Sequence, residues 1–163
     1  MQAPKPPRGP RAGPFSRRGF FMRLQSAIFC PEDTLDGHED AARVLSILKM
    51  EGVWLYAVTD LTRAEAAALL DRCGAATCFR GLLTSEETRI PASDPEMLER
   101  ALRRLRSQKR DTVVFLGRLE ALRRAKAAGF RCAAVRGRED DAEWAAMRAE
   151  ADEVVERYGD FLS

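Results

Sequence analysis

Five short apolar runs, each followed by a segment of helical periodicity, constrain the fold of this chain more than any other feature. The runs are Ala27–Phe29, Val53–Val58, Cys78–Thr84, Thr112–Leu116 and Cys132–Val135. Strands that alternate apolar and polar residues keep one face in water, whereas near-continuous apolar strands are covered on both faces. Between the first two runs, Ala41, Val44, Leu45 and Leu48 fall at i, i+3, i+4 and i+7 within His38–Glu51, and Gly52 supplies a stop. Thr62 with Glu65 forms a capping box for a helix through Leu69, Leu70 and Cys73 that Gly74 closes. Ser93 with Glu96, and Pro95 in the first turn, open a helix bearing Leu98, Ala101, Leu102 and Leu105, and Leu119–Ala128 forms a fourth. This alternation specifies an α/β class: a three-layer, Rossmann-like parallel sheet of five or six strands, with helices on both faces and right-handed crossovers.

A chain of 163 residues suffices for one such domain, read here as residues 22–163. Residues 1–21 hold Pro4, Pro6, Pro7, Pro10 and Pro14 among glycines and arginines, a composition that buries little apolar surface and predicts a disordered leader. Ser16–Phe21 carries a twin-arginine pair, but Arg23 and Gln25 interrupt the apolar stretch that an export signal needs. An initiator at Met22 accounts for the leader more simply. Charge is uneven: Lys5, Arg8, Arg11, Arg17, Arg18 and Arg23 stand without an acid before Gln25, leaving 21 basic against 25 acidic residues, or −4, in the rest. Nucleic-acid binding draws on clustered positive charge, so it is not expected of the domain. No apolar run approaches the roughly 20 residues that span a bilayer. Cys30, Cys73, Cys78 and Cys132 match no zinc spacing and are read as free thiols in a cytoplasmic protein.

The first run ends in a polar turn, Ser26–Gly37, SAIFCPEDTLDG. Open α/β sheets place their chemistry at the carboxyl ends of strands. The stretch resembles the nucleophile motif of the haloacid dehalogenase (HAD) superfamily of phosphatases, an apolar strand followed by D-x-D-G-T-L. Further likeness lies in Leu69–Glu87, in AKAAGF at Ala125–Phe130, which is similar to phosphoglycolate-phosphatase-like members, and in the ending Ala151–Val155. Thr59 matches the family's Ser/Thr that hydrogen-bonds the transferred phosphoryl group. Only about twenty residues separate the motif from Thr59, so the resemblance implies a core without the helical cap that many relatives insert there.

The resemblance also implies a magnesium-dependent phosphohydrolase with two motif aspartates, a lysine and an acidic G-D-S-x-x-D segment. Here the two aspartate positions are Cys30 and Glu32, the lysine position is Ile90 beside Arg89, and the acidic segment reads Gly117–Leu122 with Arg118, Leu119 and Ala121. Magnesium demands hard oxygen ligands, which a thiol, a guanidinium and a methyl do not supply. A unit charge about 4 Å from a divalent ion repels it by roughly 8 kcal/mol at an effective dielectric of about 20. A millimolar site is worth only about 4 kcal/mol. No metal and no other cofactor are therefore expected, and no catalytic residue is assigned, with Cys30 and Glu32 as degenerate motif positions.

The leading expectation is a catalytically degenerate HAD-like domain that acts as a binding or regulatory module toward a protein partner or a small anion. One alternative is a weak phosphatase acting on a phosphate monoester with magnesium through Glu32, Asp33 and Glu120. Another is an anion- or phosphometabolite-sensing domain in which Thr34, Thr59 and Arg118 hold the ligand. Arg118 is otherwise expected to pair with Glu32 or Asp33. Cys30 is read as an apolar filler, or as a redox-sensitive thiol with a pKa lowered by Arg118. His38 and the run Arg100, Arg103, Arg104, Arg106 and Lys109 are read as solvated, and the Cys73/Arg80 spacing is one residue too long for a cysteine-phosphatase loop.

Overall fold

The computed structural model describes residues 24–162, so the expectations for residues 1–21 and for a start at Met22 lie outside the described residues. Six parallel strands, β1 (Ser26–Phe29), β2 (Trp54–Thr59), β3 (Phe79–Thr84), β4 (Thr112–Leu116), β5 (Arg131–Val135) and β6 (Glu153–Val155), form one sheet in the order β3-β2-β1-β4-β5-β6. The strand and helix alternation predicted from the sequence is thus the observed architecture. Its helices are α1 (Pro31–Thr34), α2 (Ala41–Met50), α3 (Arg63–Arg72), α4 (Ser85–Thr88), α5 (Pro95–Leu105), α6 (Leu119–Ala127) and α7 (Asp141–Glu150), with a 3₁₀ turn at Tyr158–Phe161.

Successive side chains along each strand enter opposite layers, which explains the continuous apolar runs. Phe29, Leu55, Phe115 and Val135 pack in one layer with Leu45 and Leu48 of α2 and with Tyr158 and Phe161. Ile28, Val58, Val114 and Ala134 pack in the other with Met97 and Leu105 of α5, Leu122 of α6 and Trp144 of α7. Phe29 stacks on Phe115 at 4.3 Å between centroids, locking the two central strands together. Only α1 and α2 stand between β1 and β2, so no cap domain is inserted there.

Two local expectations are corrected. The helix after the motif loop starts at Ala41 rather than His38, because Gly37 (φ 79°) and Asp40 (φ 67°) take left-handed conformations that a helix cannot continue through. The cap of α5 is Asp94, whose carboxylate accepts from Glu96 N at 2.9 Å; with Pro95 in the first helical position, the cap falls one residue before it. The Ser93 hydroxyl accepts from Arg124 instead, at 3.1 Å.

The connections leave β1 in opposite directions, toward β2 and β3 on one side and β4 to β6 on the other. That switch point opens a crevice beyond the carboxyl ends of β1 and β4, where ligands bind in open α/β sheets.

Candidate functional site

The crevice is built by the loops after β1, β2, β4 and β5. Cys30 follows β1 at the N-cap position of α1, and Pro31 starts that helix with its fixed φ. The carbonyl of Cys30 accepts from Asp33 N (3.1 Å), Thr34 N (3.0 Å) and the Thr34 hydroxyl (2.8 Å). Thr34 is fully buried, so its hydroxyl closes the motif loop and is not presented to the crevice. Of the three residues proposed to hold an anion, only Arg118 lines the crevice; Thr59, at the end of β2, is as fully buried as Thr34.

Thr59 is already engaged. Its hydroxyl donates to Glu32 Oε1 at 2.6 Å and accepts from Leu61 N at 3.0 Å, while Glu32 Oε2 accepts from Asp60 N at 3.0 Å. A hydroxyl and a backbone N–H from the end of β2 are the donors that an oxyanion would use there, and the carboxylate of Glu32 takes both. The pattern repeats around the crevice. Leu119 N, in the first turn of α6, donates to Glu143 Oε2 at 2.9 Å, and Gly137 N donates to both carboxylate oxygens of Glu139 at 2.9 and 3.1 Å. Helix starts and loop amides attract anions. Here three such donors are filled from within by three glutamates.

Glu139 and Glu143 are not among the residues the sequence singled out. Their signal was positional: Glu143 stands three residues after Asp140, the cap of α7, whose Oδ1 accepts from Glu143 N at 2.7 Å.

Arg118 is exposed and forms no ion pair with Glu32 or Asp33, which corrects that expectation. Glu32 is held by the β2 loop, and Asp33 Oδ2 faces the Cys30 thiol, which donates to it at 3.5 Å. Burial raises the pKa of Asp33, and neighbouring Glu32 raises it further, against an opposing pull from Arg118. The thiol of Cys30 also moves upward, through burial first and then the charges of Glu32 and Asp33. A redox-active thiolate needs the opposite shift, so the reading of a lowered pKa is overturned. His38 is half-buried rather than solvated, its ring edge-on to Tyr158 at 5.8 Å, and burial lowers its pKa.

Two adjoining cavities of about 430 and 360 Å³ occupy the crevice. Their walls carry eight carboxylates, among them Asp36, Asp60, Glu120 and Asp140, against two guanidiniums, Arg118 and Arg138. Arg89, beside the family's lysine position, is exposed and lines neither cavity. The residues present do not fit a magnesium site of the family's kind: the first ligand position is a buried thiol, Glu32 is spent on Thr59 and Asp60, and Arg118 stands at the acidic segment. Among the described residues, no three His, Cys, Asp or Glu side chains are grouped to hold a metal ion, and no helix is long and apolar enough to cross a membrane.

Comparison with solved structures gives three related folds. A Thermotoga maritima protein solved as a candidate β-phosphoglucomutase has a TM-score of 0.65 at 23% identity over 77% of this chain and 57% of its own. CbbY from Rhodobacter sphaeroides, in complex with xylulose-1,5-bisphosphate, gives 0.64 at 24% over 75% and 54%. A predicted phosphoglycolate phosphatase from Haemophilus somnus 129pt gives 0.66 at 14% over 76% and 54%. The chain spans little more than half the length of these proteins, and identities this low establish the fold alone. No curated protein is significantly similar in sequence. The profile of the haloacid dehalogenase-like hydrolases matches residues 17–129. By that match, over most of its length, the chain belongs to the haloacid dehalogenase-like hydrolase family.

Proposed function

We propose that this domain has given up phosphoryl transfer and serves as a binding or regulatory module in the cytoplasm, working without magnesium. The observation that carries this reading is the engagement of Thr59 and Asp60 N by Glu32. A phosphate entering that corner would have to displace a carboxylate held by two charge-assisted hydrogen bonds, among further carboxylates and without a metal to offset their repulsion. In place of the motif's first aspartate stands a buried thiol whose pKa is raised, a poor nucleophile. The same acidity disfavours the small-anion reading through Thr59 and Arg118, and favours a partner that presents basic groups to the crevice. All four cysteines are free, which suits a reducing compartment.

A second reading, slow phosphatase activity, draws on Asp33. A carboxyl with a raised pKa beside Glu32 and Arg118 is suited to proton transfer. A crystal structure soaked with magnesium and phosphate separates the two. The proposal requires Glu32 to remain on Thr59 with no metal between Cys30, Thr59 and Arg118. Octahedral density ligated by Glu32 or Asp33 and bridged to phosphate would overturn it.

A further inference from the structure

A second charged pocket lies away from the crevice, at the sheet edge formed by β3. It encloses about 430 Å³ between Arg63, Leu82, Glu87 and Thr88 on one side and Arg100, Arg103 and Arg104 of α5 on the other. None of these residues lines the crevice. The Arg63 and Glu87 charges cancel in a two-pronged pair at 2.8 and 2.9 Å, and a third Arg63 bond, to Leu82 O at 3.0 Å, covers the strand edge. Arg100 pairs with Glu96 at 3.5 Å. Arg103 and Arg104 have no carboxylate partner among the described residues, so the pocket holds two uncompensated guanidiniums.

Two features mark this wall as more than a solvated helix face. Arg104 donates to the hydroxyl of Tyr56, at 3.4 Å, and Tyr56 is only 5% exposed. Its ring lies across β3 where any Cβ at Gly81 would come within 2.4 Å, so the absence of a side chain there lets a buried tyrosine position an arginine. The Nε of Arg100 is also the one buried side-chain N or O atom without a hydrogen-bond partner among the described residues. Buried donors in folded proteins normally find acceptors. The pair with Glu96, made through a terminal nitrogen, leaves this one unmet.

We propose that the Arg100–Arg103–Arg104 pocket binds a small phosphorylated ligand carrying two adjacent anionic groups. Guanidinium forks match phosphate oxygens in pairs, and two forks without a carboxylate partner, with a third one turn away along the helix, suit a diphosphate better than a single carboxylate.

The test is calorimetric titration of the full chain with inorganic pyrophosphate at low and at physiological salt, with inorganic phosphate and a short poly-glutamate peptide as further arms. Saturable pyrophosphate binding that weakens with salt is expected, tighter than phosphate, and about tenfold weaker for each guanidinium removed in Arg103→Gln and Arg104→Gln. Both residues are exposed, so the folded state survives the substitutions. Arg104 is the positioned one, and Tyr56→Phe is expected to weaken binding without abolishing it. No saturable heat, binding indifferent to Arg103 and Arg104, or binding lost instead in Arg118→Ala at the crevice would each overturn the proposal. Tighter binding of the peptide than of pyrophosphate would overturn it too, by giving the pocket to an acidic protein segment.

Discussion

Glu32 and Thr59, 27 residues apart in the chain, are joined by a 2.6 Å hydrogen bond that ties the loop after β1 to the end of β2. With the bond from Asp60 N to the other oxygen of Glu32, the contact turns what resembles a catalytic pair into a clasp between loops. Asp60 extends it, its Oδ1 accepting from Ala92 N at 2.9 Å and so holding the segment before α5.

Glu32→Ala removes the acceptor from two donors at once. Hydrogen bonds to charged groups contribute about 1.5–3 kcal/mol when buried, and partial exposure here lowers that to about 1–2 kcal/mol. The melting temperature is expected to fall by roughly 2–8 °C. Melting like that of the unmodified protein would mean that the clasp carries no stability.

The thiols make a second prediction. Burial and the neighbouring Asp152 push the Cys132 pKa up to about 12, and the Cys30 pKa moves the same way. A thiol whose folded pKa is raised stays protonated in the native state while the unfolded chain loses its proton, so stability is fully present below the unfolded pKa, near 9, and falls as pH rises toward 12. Urea midpoints are expected to drop between pH 8 and 10, with Cys132 contributing about 1.4 kcal/mol. A Cys132→Ala variant should show a shallower drop, and an unchanged one would contradict the assignment. In native protein near neutral pH, a thiol reagent should react with the partly exposed Cys73 well before buried Cys30, Cys78 and Cys132.

Gly117 sets how closely the loop after β4 approaches the motif loop. A Cβ there would come within 2.6 Å of the Asp33 carbonyl oxygen, a backbone atom with no rotamer to yield. Gly117→Ala is expected to destabilise by about 1–3 kcal/mol, read as a lower denaturant midpoint at unchanged slope. It should also separate Arg118 from Asp33.

Most of the fold was legible because its signals are contiguous. The apolar runs, the Thr62–Glu65 capping box and the stops at Gly52 and Gly74 are each set within a few residues, and the structure has them all. The site was legible only in part. The resemblance set Cys30 and Arg118 at positions where the family carries acidic residues, but the partners that side chains choose across loops could not be read from it. Arg118 had two carboxylates within sequence-level reach, and each was claimed by a group that no local pattern reveals: Glu32 by Thr59 and Asp60, Asp33 by the thiol of Cys30. Tyr158, near the end of the chain, gave no sign that its hydroxyl donates to Thr34 O at 2.8 Å from 124 residues away, sealing the floor of the motif loop.

The central claim, that the crevice no longer transfers phosphoryl groups, is tested most directly by incubating the protein with para-nitrophenyl phosphate and magnesium. The account predicts release no faster than in protein-free controls, unchanged by Glu32→Ala. Magnesium-dependent turnover that disappears in Glu32→Ala would contradict it, and would make Glu32 a catalytic residue rather than a clasp.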